Sequence, residues 1–228
     1  MPQKDTWERE YRDSKLVTKD DKPGADFVRF LKFLKKERGV VLENLHLIDI
    51  GCGTGKNSNY FAGLENKVTG IDISHTAITL AQERAKREGL DVEYKEQDIG
   101  SNYPYEENFF DIAIDITSSN SLDEAGREMY LKETKRVLKP EGYFFVKALC
   151  KEGDHNAKNL LKESPGKEKD TYFMKDLGLT ERVWEKEDFV QIYSQYFNIF
   201  HLEKKTSYTR LNNRVYKRNF WIAYMQKK

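Results

Sequence analysis

At 228 residues, with 38% hydrophobic and 34% charged side chains, the chain is long and apolar enough for a real core and is not of disordered composition. Its 39 basic residues nearly cancel its 38 acidic ones, so no overall field draws it to nucleic acid or to a lipid surface. No stretch nears the roughly 18 apolar residues of a spanning helix, the opening MPQKDTWERE has no apolar signal core, and two cysteines make no disulfide or zinc framework. A cytoplasmic protein with no membrane partner is expected.

Residues 5–20, DTWEREYRDSKLVTKD, read as a charged helix carrying Trp7, Tyr11 and Leu16. Trp7 and Tyr11 are four apart and share a face, either packed on the body or capping a ligand cleft. After Pro23-Gly24, the run ADFVRFLKFLKKERG sets Phe27, Phe30, Leu31 and Leu34 at helical spacing, with Gly39 as its stop. This helix packs and carries no chemistry.

The stretch LIDIGCGTGKNSNYF, Leu47 to Phe61, holds the strongest local signal in the chain. A short apolar run gives way to glycines at 51, 53 and 55, and an amphipathic run starts at once. That predicts a buried strand, a tight turn and a helix whose N-terminal N–H groups face an anionic end of a ligand. The next apolar run, VTGIDIS, ends in Asp72, about 20 residues beyond the turn, where a carboxylate accepts from two ribose hydroxyls. A nucleoside-containing cofactor is therefore expected.

The alternation continues. SHTAITLAQERAKREGL is a helix with Ser74 as N-cap, a stripe of Ala77, Leu80, Ala81 and Ala85, and Gly89 as stop. VEYKEQDI reads as a strand ending at Asp98, NFFDIAIDITSSNSL as a strand releasing Asp115, and residues 123–149 as a helix, a Lys-Pro-Glu-Gly turn and the strand Tyr143–Leu149. Residues 150–184 break the rhythm and read as a polar, weakly periodic insertion, a loop or a lid. EKEDFVQIYSQYF is a helix, and the end reads as two strands around Asn212-Asn213, a hairpin. The expected fold class is α/β, one domain over 1–228 with a doubly wound Rossmann-like sheet of seven strands, mostly parallel with an antiparallel last strand.

The glycine spacing separates two cofactor classes. A dinucleotide fold keeps a third glycine three positions after the second, but here that position is Lys56. The pattern Asp49-x-Gly51-x-Gly53-x-Gly55 instead resembles motif I of the class I S-adenosylmethionine-dependent methyltransferases, and the order of elements over roughly 40–228 is similar to that family's domain. The resemblance implies that Asp49, Gly51, Cys52, Gly53 and Gly55 cradle the methionine part of S-adenosylmethionine. It implies that Asp72 binds the ribose, Ile73 packs on adenine, and Asp98 with Ile99 reads the adenine amino group. Asp115 to Ser118 would form the loop where methyl and acceptor meet, and Trp7 and Tyr11 would close over the cofactor.

Methyl transfer is an in-line displacement, and positioning two reactants can supply about 7–11 kcal/mol of the barrier. A hydroxyl acceptor also needs a base. Asp115 and His155 are the candidate catalytic residues; His46, His75 and His201 read as structural, and Tyr172 and Tyr208 as candidate acceptor-pocket walls. No cluster has metal-ligand spacing, so no metal is expected.

Between Asp115 and Ser118 there is no N-P-P-Y-type element, which argues against adenine-N6 or amide methylation. A basic run in the tail (Lys204, Lys205, Arg210, Arg214, Lys217, Arg218, with Tyr208, Tyr216 and Trp221) would be needed to bind RNA, and reads as a solvated face. A small-molecule acceptor is the expectation, as in the tellurite-resistance and thiopurine methyltransferases the chain resembles. RNA or protein methylation, a non-catalytic S-adenosylmethionine sensor and a nicotinamide oxidoreductase are the alternatives. The expected assembly is a monomer or homodimer.

Overall fold

The computed structural model describes residues 3–13, 22–211 and 214–228, without the side chains of 209–211 and 214. After helices α1 (Lys4–Arg12) and α2 (Ala25–Glu37), strands and helices alternate: β1 (His46–Ile50), α3 (Lys56–Ala62), β2 (Lys67–Asp72), α4 (His75–Glu88), β3 (Glu93–Glu96) and β4 (Phe110–Ile116). A 3-10 turn, η1 (Ser119–Ser121), leads to α5 (Glu124–Val137) and β5 (Leu138–Leu149). Then come α6 (His155–Glu163), β6 (Thr171–Met174), β7 (Leu179–Arg182), α7 (Lys186–Tyr193), β8 (Phe197–Leu211) and β9 (Arg214–Lys227).

The main sheet has seven strands in the order β3-β2-β1-β4-β5-β9-β8. The pairs from β3 to β5 are parallel, while β9 runs antiparallel to both β5 and β8. The order reverses between β1 and β4, and in an open α/β sheet ligands bind at the carboxyl ends beside such a reversal.

Period-2 alternation divides the core. Ile48, Ile50, Phe144, Val146, Trp221 and Ala223 face one layer, where Tyr130 of α5 and Phe189 of α7 pack. Leu47, Ile112, Ile114, Phe145, Ile222 and Tyr224 face the other, against Phe27, Phe30 and Leu34 of α2. Strands buried on both faces explain the near-continuous apolar runs.

The structure corrects several local expectations. Helix α1 ends at Arg12, and residues 14–20 of the expected helix, Leu16 among them, lie outside the described residues, as does the Asn212-Asn213 turn. In α4, Leu80 is 37% exposed and Ile78 takes its place in the buried stripe. The Lys-Pro-Glu-Gly segment does not precede β5 but bulges within it: Leu138 pairs with Phe110, and pairing resumes at Tyr143 with Ile112.

The insertion at 150–184 is regular rather than loop-like. Asp154 caps α6 by accepting from Ala157 N at 2.8 Å, and β6 and β7 form a hairpin four residues deep. A nine-residue helix and four-residue strands are too short to print a period on the sequence.

Candidate active site

A cavity of about 1230 Å³ runs along the carboxyl edge of the sheet. At one end it is walled by Gly51, Asp72, Ile73, Asp98 and Ile99, and at the other by the insertion, including Leu160, Met174, Leu177 and Glu181. Thr117 and Ser118 line the stretch between, and Trp7 and Tyr11 of α1 cover it.

Side chains from three directions grip the glycine turn. Gly51 (φ 76) lies so close to Ser118 that a Cβ would collide with the serine side chain. Gly53 (φ 54) meets Tyr11, whose hydroxyl would stand 2.7 Å from a Cβ. At Gly55 the Tyr94 hydroxyl fills the space, donating to Asn59 Oδ1 at 2.6 Å. All three glycines have left-handed φ, which other residues adopt only with strain. Gly55 is the N-cap of α3 and offers no side-chain cap, so the helix begins on bare backbone.

Asp72 ties the turn to the next helix. Its Oδ2 accepts from Gly53 N at 2.9 Å and its Oδ1 from Ser74 N at 3.0 Å. A carboxylate has about four acceptor sites, so capacity for two hydroxyls remains. Burial pushes Asp72 up to about 6, against the pull of the Ser74 and Gly53 N–H groups. Asp49 lies beneath, buried, and accepts from Ser58 Oγ at 2.6 Å. Burial carries it to about 7, the Ser58 bond opposing and the Asp72 and Asp115 charges adding. Asp98 accepts from Gly100 N at 2.8 Å and stands on the cavity wall beside Ile99.

Helix α1 is held at both ends of the cavity. Glu8 accepts from Ser74 Oγ at 2.6 Å and Thr76 N at 3.1 Å at the start of α4. Burial disfavours its charge, but bonds from Ser74 and Thr76 and the nearby Arg12 prevail and bring it down to about 2. On the other side, Thr6 Oγ1 donates to Gly178 O at 3.1 Å and Arg9 to Leu177 O at 2.6 Å. Trp7 and Tyr11 thus hang from a helix fastened to α4 and to the β6–β7 hairpin.

The candidate catalytic residues fall elsewhere. Asp115 is 0% exposed. Its Oδ1 accepts from Ser118 N at 2.9 Å and from the Ser118 hydroxyl, and its Oδ2 from Tyr130 OH at 2.7 Å. It braces the loop after β4 from below the cavity and does not line it. His155 occupies the first turn of α6, exposed and facing a separate surface hollow beside Lys151 and Asp170. Asp154 fixes the start of α6 and so turns His155 outward. Cys52 is also redirected: its thiol packs with Ile78, Ala81 and Tyr94, leaving only its backbone to the turn. Tyr172 is buried behind the wall, and Tyr208, 70% exposed, stands at the rim.

Several cations of the basic tail are already paired or buried. Lys205 and Lys147 pair with Asp26, Lys204 with Glu152, and Arg218 is buried against Asp154. Trp221 lies in the core, and the side chains of Arg210 and Arg214 are outside those described. Asp170, Glu185 and Asp188 place carboxylate oxygens within 4.8 Å of one another, but Lys151 pairs with the first two and Lys169 with the third.

Sequence reasoning passed over Gln3 and Glu181, and took Thr117 only as part of the loop after β4. Thr117 has φ 69, an uncommon conformation for a β-branched residue, and its N–H donates to Lys147 O at 2.8 Å. Glu181 carries a readable signal: in Leu179-Thr180-Glu181-Arg182-Val183 it holds an inward phase between two buried apolar residues.

A family model described as a methyltransferase domain matches residues 47–142. The uncharacterized methyltransferase C1348.04 of Schizosaccharomyces pombe is 31% identical over 111 residues, 48% of this chain and 76% of its own. Sterol 4-C-methyltransferase strm-1 of Caenorhabditis elegans is 33% identical over 118 residues, 51% of this chain, and the match spans only 35% of the worm protein. A solved SAM-dependent methyltransferase of Methanosarcina mazei superposes with a TM-score of 0.73 at 27% identity, covering 84% of this chain and 96% of that one. With the strand order and the glycine turn already in place, the chain belongs to the class I S-adenosylmethionine-dependent methyltransferases.

Proposed function

We propose that this protein methylates a small molecule, with S-adenosylmethionine as donor. One observation carries the reading: a single cavity joins the strand-end residues Gly51, Asp72 and Asp98 to an end of mixed polarity built by the insertion, with Thr117 and Ser118 between. The cradle fits the cofactor on this chain's own terms. The glycine turn leaves bare backbone, Asp72 keeps acceptor capacity for a ribose diol, and Ile73 and Ile99 offer apolar contact to a base. Bound there, S-adenosylmethionine supplies a methyl group activated by its sulfonium.

The chain's contribution is positioning and exclusion of water. Asp72 orients the ribose, Trp7 and Tyr11 close the cofactor end, and α6 with the β6–β7 hairpin covers the acceptor end as a lid. On this reading residues 1–228 work as one domain. No described helix is long and apolar enough to cross a membrane, and the two buried free thiols, Cys52 and Cys150, support the cytoplasmic reading. The worm relative's name gives a small molecule, a sterol, as its substrate, in keeping with a small-molecule acceptor here.

The test is methyl-labelled S-adenosylmethionine incubated with the protein and separate pools of metabolites, RNA and protein. Label in the metabolite pool is expected. Label in RNA alone would overturn the reading, and cofactor binding without label in any pool would favour a sensor.

A further inference from the structure

Glu181 of β7 is 8% exposed and stands on the wall of the acceptor end of the cavity. Its register partner across the hairpin, Tyr172, donates its hydroxyl to Glu181 Oε2 at 2.8 Å. The same hydroxyl accepts from Arg218 Nη2 at 2.9 Å. Arg218 spends its charge on Asp154, with Nε 2.9 Å from Oδ2, at the N-cap of α6. Four segments of the chain therefore converge on one buried group.

The charges in that group do not balance. It contains two carboxylates and one guanidinium, and a phenol separates Glu181 from the guanidinium. A buried carboxylate without a direct cation is costly, and the protein relieves the cost by protonation or by binding a positive ligand. Burial does push the Glu181 carboxyl above its ordinary range, with Arg218 and the Tyr172 bond pulling the other way. Of the lysines on the cavity wall, Lys147 is held by Asp26 at 2.9 Å, and Lys175 stands exposed at the tip of the hairpin. Apolar side chains stand beside the group within a mixed wall: Met174 shares the hairpin face with Glu181, Leu160 and Phe220 line the same cavity, and Asn156, Glu163 and Arg218 add polar atoms to it.

We infer that Glu181 selects the acceptor, which is a small molecule bearing a cationic nitrogen, an ammonium or an amidinium, on an apolar stem. The nitrogen docks on the Glu181 carboxylate, and Met174, Leu160 and Phe220 receive the stem. Tyr172 positions the carboxylate, and Asp154 keeps Arg218 from neutralising it. The inference rests on the methyltransferase reading and names the acceptor class for that same cavity.

The test uses the full chain saturated with S-adenosylhomocysteine, titrated calorimetrically with phenethylamine, 2-phenylethanol and 3-phenylpropanoate. These probes share a stem and differ in charge. Phenethylamine is expected to bind at least about tenfold more tightly than the other two. Glu181→Gln should remove that preference while leaving S-adenosylhomocysteine affinity within about twofold. Equal or absent binding of the three probes overturns the inference, as does a cation preference that survives in E181Q. If E181Q itself loses S-adenosylhomocysteine, Tyr172→Phe replaces it: the carboxylate loses the hydroxyl that positions it, so the amine preference should fall, and a preference left unchanged there overturns the inference. Failure of the unmodified chain to bind S-adenosylhomocysteine counts instead against the methyltransferase reading.

Discussion

Gln3 holds Thr180 by both sides of its backbone: Gln3 Nε2 donates to Thr180 O at 3.0 Å, and Gln3 Oε1 accepts from Thr180 N at 2.7 Å. The same amide also donates to Ser121 O, so one side chain joins α1, the hairpin and the turn after β4. Through it, the helix over the cofactor end and the hairpin over the acceptor end should move together. Gln3→Ala should cost about 1–3 kcal/mol of that clamp. The expected result is S-adenosylhomocysteine binding weaker by about three- to tenfold, with faster amide exchange in both α1 and β7. Exchange that quickens in α1 alone would show that the two covers are independent.

Gly51 tests whether the turn is held by conformation or by space. An alanine there meets two penalties, φ 76 and the Ser118 side chain. Gly51→Ala should lower stability by about 1–3 kcal/mol and abolish measurable cofactor binding. Ser118→Gly removes the collision but not the backbone penalty. The double variant should therefore recover part of the lost stability in denaturant titration, and additive losses would show that Ser118 does not crowd Gly51.

Asp72 predicts a pH dependence. Its carboxyl sits at about 6 in the free protein, and ribose hydroxyls donate to the ionised form. Cofactor affinity should rise as pH increases from about 5 to about 7 and then level off, with proton release below the midpoint. Asp72→Asn should flatten this dependence, and Asp72→Ala should weaken binding by roughly 2–4 kcal/mol. Stability runs the other way. Asp49 at about 7 and Asp72 at about 6 hold protons that the unfolded chain has lost, so free-protein stability falls as pH rises from about 4 to about 7. Glu8, at about 2, adds stability above its unfolded value that is lost only in stronger acid. Calorimetry in buffers of different ionisation enthalpy checks the first claim, and melting curves across this range check the second.

The cofactor end was legible because its signals are local. Short apolar runs give buried strands, a glycine turn must follow the first, and each run delivers its last residue to the same edge of a parallel sheet. Asp72 and Asp98 reached the cavity for that reason. Asp115 did not, since it shares its phase on β4 with Ala113 and so faces α5, where Tyr130 receives it. The acceptor end was illegible for a different reason. It is assembled from residues far apart in the chain, Asp154, Tyr172, Glu181 and Arg218, and the first three sit on elements too short for periodicity. Arg218 holds the inward phase of Phe220, Ile222 and Tyr224 on β9, but in the sequence its basic neighbours made it look like part of a solvated face.

The hairpin offers a direct reading of whether the insertion closes. Lys175 lies at its exposed tip and also lines the cavity, next to Leu177, whose carbonyl is held by Arg9. A protease reaches such a site only when the segment opens locally, and a ligand that favours the closed form reduces that opening. Trypsin should therefore cleave the free protein after Lys175, and S-adenosylhomocysteine should slow this cleavage by about tenfold or more. Gln3→Ala should erase part of that protection, because the cofactor's hold on α1 then no longer extends to Thr180. Equal cleavage rates with and without S-adenosylhomocysteine would show that the hairpin is a fixed wall and that closure is confined to α1.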